Sequence, residues 1–127
     1  MIGTTLTAKI GAAFYVLWGV FHLFAASAVY NLAQTNAPGM VQGRLLQNAF
    51  YLLFFACSGI AIALISNWRN DRQGYWMNGV LIAIADVPFV LFVLIPGYIP
   101  WWPGLIGPIL WALAFLCTLF ARFRHAA

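Results

Sequence analysis

The sequence predicts an all-α integral membrane protein: a four-helix up-down transmembrane bundle with both termini in the cytoplasm. Three observations predict it. Only 6% of the 127 residues are charged and 65% are hydrophobic, whereas a soluble domain carries about 25% charged residues. Lipid must therefore solvate most of the surface. The apolar residues fall in four continuous runs, each near the ~20 residues that cross a bilayer. The connections are short, which makes successive helices antiparallel neighbours. The length allows a single transmembrane domain, residues 1–127.

The first run covers about residues 10–30, with Lys9 ahead of it and Ala26-Ser27-Ala28 near its end. That pattern is like a secretory leader and its cleavage site, but the segment is read here as a retained helix. NLAQTNAPGM follows, with the helix breakers Pro38 and Gly39. The second run covers about 42–65 and ends in NWRNDRQG, the most polar stretch of the chain. The third covers about 75–95 and the fourth about 104–121, joined by the uncharged PGYIPWWPG. Pro96, Pro100 and Pro103 make that connection a stiff cap. Trp101 and Trp102 suit an interfacial belt, and they are the expected lip of any opening beneath the cap. Barrel strands would alternate apolar and polar residues, and these runs do not.

Basic residues orient the bundle. Lys9, Arg69, Arg72, Arg122 and Arg124 share the side of the termini, and Arg44 lies opposite. That asymmetry predicts cytoplasmic termini in a bacterial-type inner membrane. The basic residues do not form a nucleic-acid patch; they suit anionic headgroups. Cys57 and Cys117 fall in apolar runs and read as small core residues.

The acidic residues number two, and one of them, Asp86, lies inside the run VLIAIADVPFVLFVLIPG. By helical rise it sits about 16 Å from the cytoplasmic edge, and His22 on the order of 20 Å. Spacings of three and four place Tyr15, Trp18 and His22 on one stripe. Arg44, Gln47, Asn48 and Tyr51 form a second, and Asn78, Ile82 and Asp86 a third. Polar stripes are penalised in lipid, so each is expected to face the bundle interior. Gly104, Gly107, Trp111, Ala114 and Thr118 share a face of the last helix, whose small residues allow close approach. Asp86 is tolerable if it meets His22, Arg44, Gln47 or Asn48 inside, or if it is protonated. Pro88 leaves the Ile84 carbonyl without its helical donor and invites a kink.

Each polar residue has two readings. Asp86 and His22 either serve a ligand or proton or fix helix register. Gln47 and Asn48 are ordinary interhelical hydrogen-bonders, Arg44 is a residue that snorkels, and Tyr15, Trp18 and Trp111 are ordinary packing residues.

A metal site is poorly supported: there is no HxxxH, no CxxC and no Glu. A bis-histidine haem is disfavoured because the other histidine, His125, lies in the tail. No phosphate loop or serine triad is present, and no cofactor is indicated. Three readings survive. The first is a binding or accessory protein for an amphipathic lipid-soluble molecule (a quinone, isoprenoid or lipid), held in a polar pocket in the outer half of the bilayer. Its expected lining is His22, Arg44, Gln47, Asn48 and Asp86, with Tyr15, Trp18 and Trp111 as apolar wall. The second is a membrane-embedded enzyme using His22 and Asp86 in acid-base chemistry. The third is an oligomeric proton-coupled exporter using Asp86. Membrane lipids are expected partners, and a homo-oligomer or larger membrane complex is compatible with the chain.

GRLLQNAFYLLFF, Gly43 to Phe55, resembles the start of the second helix in the membrane-associated eicosanoid and glutathione metabolism family, through Arg44, Gln47 and Asn48. The acidic residue that follows in that family is missing, and the charge bias puts this turn outside. The likeness covers about a tenth of the chain.

Overall fold

The computed structural model describes residues 6–124. His125, in the tail, lies outside the described residues. Helix α1 runs Leu6–Gln34, α2 Met40–Ile65 and α3 Arg72–Phe89. A π-helical segment, Val90–Leu94, continues α3. A single turn, α4 (Trp101–Gly104), precedes α5 (Ile106–Phe123). Among the described residues, four helical spans are long and apolar enough to cross a membrane: Leu6–Gln34, Met40–Arg69, Arg72–Leu94 and Ile106–Phe123.

Packing gives the bundle its order. α1 packs against α2 and α5, and α3 packs against the same two. α1 and α3 therefore face each other across the bundle axis. Close approach at one end depends on Gly11, where a Cβ would lie 2.7 Å from Thr118 Cγ2 and 3.1 Å from the Ala114 carbonyl. A side chain there would force α1 away from α5.

That end also gathers the basic residues. The Lys9 ammonium sits 5.4 Å from the Trp68 ring centroid, a cation–π contact. Arg122 Nη1 donates to the Asn70 carbonyl at 2.8 Å. So the start of α1, the α2–α3 turn and the end of α5 lie together. The turn is built from asparagines. Asn70 takes a left-handed conformation, φ 56°, which Asn tolerates better than most residues. Its Nδ2 donates to the Ala121 carbonyl at 3.3 Å. Asn78 Nδ2 donates to Asn67 Oδ1 at 2.7 Å and to the Gly59 carbonyl at 3.1 Å. Asp71 caps α3, its Oδ1 accepting from the Gln73 N–H at 3.2 Å.

The opposite end is joined by two connections. Gln42 Nε2 reaches back to the carbonyls of Ala33 and Asn36, at 3.3 and 3.2 Å, so the α1–α2 turn is tied down by a side chain. α1 runs past the expected 10–30 at both ends, because nothing in the sequence breaks it before Pro38.

One expectation needs correction. Cys57 is exposed on the outer surface, not in the core, since the inward row of α2 is Ala49, Ala56, Gly59 and Ala63. Pro88 lies inside α3, as the expected span of 75–95 requires. The helix passes through it and then loosens to π pitch, with the Ile95 N–H bonded to the Val90 carbonyl at 2.9 Å.

Candidate functional site

Three side chains meet on the bundle axis. Trp18 and His22 come from adjacent turns of α1, and their rings stack with centroids 3.8 Å apart. Asp86 comes from α3, across the axis, and is 2% exposed. Trp18 Nε1 donates to Asp86 Oδ2 at 2.9 Å. His22 Nε2 lies 3.5 Å from Asp86 Oδ1, and Oδ1 has no hydrogen-bond partner.

One hydrogen-bond role fixes the His22 tautomer. His22 Nδ1 lies 2.9 Å from the Trp18 carbonyl. A carbonyl only accepts, so Nδ1 carries a hydrogen. Trp18 supplies the donor to Oδ2, and Nε2 faces Oδ1 without a hydrogen bond between them. The cluster is thus a close histidine–aspartate contact at membrane depth.

Gly107 of α5 closes the pair from a third side. A Cβ there would stand 2.9 Å from His22 Cε1 and 3.4 Å from Nε2. Only hydrogen at this position lets α5 seat the imidazole against Asp86.

A cavity of about 730 Å³ begins beside His22 and extends away from the basic end. Its volume is in the range of small-molecule sites. Its walls are apolar: Phe21, Leu32, Leu52, Phe89 and Phe92 from three helices, with Ile99 and Pro103 from the α3–α5 connection. Its polar side chains are His22 and Asn48. His22 is the titratable group on the wall, and Asp86 stands behind it.

The structure sorts the expected site residues into groups. Trp18, His22 and Asp86 come together. Asn48 lines the cavity, on one row of α2 with Leu45 and Leu52. Arg44, Gln47 and Tyr51 do not face inward. They form an exposed ladder, Arg44 Nη1 donating to Gln47 Oε1 at 2.9 Å and Gln47 Nε2 to Tyr51 Oη at 2.7 Å. These three satisfy one another near the helix end, where an arginine reaches headgroups, so the penalty that would turn them inward is small.

Tyr15 is fully buried in the core with Trp18, Ala63, Ile82 and Ala114, and Trp111 packs on that cluster. Neither lines the cavity. Tyr15 lies seven residues before His22, roughly 10 Å nearer the basic end. Trp101 and Trp102 are exposed, 54% and 69%, and do not line the cavity, whereas their neighbours Ile99 and Pro103 do. Of the expected pocket lining, His22 and Asn48 are on the cavity wall, and the apolar walls were not legible in the sequence. The nearest signal was Pro88, which lies on its wall.

Fold and site together define a multi-pass helical membrane protein with an apolar cavity and, on its wall, a histidine backed by a buried aspartate. No protein-family model, curated protein or solved structure matches the chain.

Proposed function

We propose that the protein binds an amphipathic lipid-soluble molecule in this cavity, its apolar body between the helices and its polar end at His22. One observation carries the reading: an apolar cavity of about 730 Å³ whose titratable wall group is a histidine backed by a buried carboxylate. A quinone, an isoprenoid or a lipid has the matching shape and polarity, a long apolar part with one hydrogen-bonding end. Mass spectrometry of small molecules retained after mild-detergent purification tests it. A stoichiometric retained molecule is expected in the wild type. Ala28→Trp, which places a large ring in the cavity from an exposed position, is expected to reduce retention several-fold. Equal retention in the two proteins would sink the proposal.

The close contact of His22 and Asp86 favours a second reading, a membrane-embedded enzyme. There His22 and Asp86 would trade a proton with the bound substrate. A chemically altered molecule in the retained fraction would select this reading.

The proposed setting is a bacterial-type inner membrane with the basic end cytoplasmic, supported by the positive-inside bias. The cavity then opens in the outer half. In a background lacking Cys57 and Cys117, Gln73→Cys should be shielded from an impermeant thiol reagent in intact cells. Thr35→Cys should label. The reverse pattern would invert the topology.

A further inference from the structure

At the basic end, a second and smaller cavity of about 250 Å³ lies between α3 and α5. Arg72 and Arg122 line it together with Tyr75, Trp76, Leu119 and Phe123. We infer that this groove is a binding site for an anionic phospholipid, its phosphate held between the two guanidinium groups and its chains lying over the aromatic rim.

The site is built, not a chance meeting of surface arginines. Arg122 is held by its bond to the Asn70 carbonyl, and Asn70 is itself buried and tied to Ala121. Tyr75 gives a rigid floor, its ring stacked on Phe115 with centroids 5.5 Å apart. Among the described residues, neither arginine has a carboxylate partner. The chain's two side-chain carboxylates are Asp86, on the axis, and Asp71, which caps α3. Two unneutralised guanidinium groups beside one groove match a phosphate, which arginine binds through paired hydrogen bonds. Basic pockets between membrane helices at one face hold such headgroups.

The lining names the source of the phosphate. A soluble phosphate gains nothing from Trp76 and Phe123, which are 56% and 67% exposed on the outer surface of the bundle. A lipid does, because its chains continue along α3 and α5 toward the membrane centre. The groove is far from the His22 cavity, so the inference stands apart from the proposed ligand.

Native mass spectrometry of the purified full chain, titrated with phosphatidylglycerol or phosphatidylcholine, tests it. The wild type should bind phosphatidylglycerol in preference. Arg72 is exposed and makes no bond that the fold needs, so Arg72→Gln isolates the headgroup contact. It should weaken phosphatidylglycerol about fivefold, and the Arg72→Gln/Arg122→Gln pair about 25-fold. Phosphatidylcholine, whose phosphate is offset by its own ammonium, should bind more weakly to the wild type and lose less in both variants. Lys9→Gln, at the same end but outside the groove, should keep the wild-type preference. An Arg72→Gln protein with undiminished preference would overturn the site. So would competition by glycerol phosphate at concentrations equal to the lipid, which would make it a soluble-anion site.

Discussion

Asp86→Leu is expected to destabilise the bundle and to release the cavity's ligand, while Asp86→Asn keeps both. Leucine leaves the Trp18 indole N–H buried without an acceptor. An unsatisfied buried donor costs about 1–3 kcal/mol, and intramembrane bonds average nearer ~0.6 kcal/mol, so the lower half of that range is expected. His22 also loses its partner and with it the orientation that places the ring on the cavity wall. Asparagine is different. Its amide oxygen accepts from Trp18, and its NH₂ donates to His22 Nε2. The contacts survive but the titratable carboxyl is gone. Thermal unfolding in detergent and ligand retention, measured on both variants, separate the roles. Binding that persists in the asparagine variant while turnover disappears selects the enzyme reading. A leucine variant with wild-type unfolding and full retention would remove Asp86 from the site.

The second large effect is expected at Gly107. Gly107→Leu drives a side chain into the His22 ring edge, where a Cβ alone would stand at 2.9 Å. Overpacking of this kind costs typically 1–3 kcal/mol, and here the strain falls on the contact between α5 and the His22–Asp86 pair. A lower unfolding temperature together with lost ligand retention is the expected result. Gly43→Ala is the control. No atom lies within 4 Å of a Cβ built there, and alanine in a helix interior is favoured over glycine by roughly 0.5–1 kcal/mol. It should be neutral or slightly stabilising. If the two variants unfold alike, Gly107 is not the seat of His22.

The inward stripes of α1 and α3 were legible because nothing near the membrane midplane can satisfy a polar side chain except another helix. Trp18, His22, Asn78 and Asp86 had to turn inward, and they do. The row on α2 was misread because polarity was taken for direction. Residues 44, 47 and 51 lie one residue, hence roughly 100°, from the cavity row 45, 48 and 52. Close to a helix end, a polar row facing out is cheap. Trp18 was expected as apolar wall, yet its indole N–H is the donor that fixes Asp86. Composition marks tryptophan as bulk and gives no sign of which polar atom it will meet. The asparagine turn and the arginine it holds were visible only as a polar stretch. Their value depends on Asn70 reaching Ala121, 51 residues away, and no local pattern reports that.

The π-helical segment Val90–Leu94 has a meaning in terms of insertions and deletions. A π turn is an α-helix that has absorbed one extra residue, and such turns are frequent at functional sites. Deleting one residue within Val90–Leu94 would remove the bulge and restore α pitch, while the helix faces before and after it keep their directions. Trp18, His22 and Asp86, upstream of the change, would keep their contacts, and Ile99 and Pro103 would be drawn in by about one residue's rise, ~1.5 Å. Chain length at this one place can therefore change by a residue without turning the cavity wall away from the buried pair.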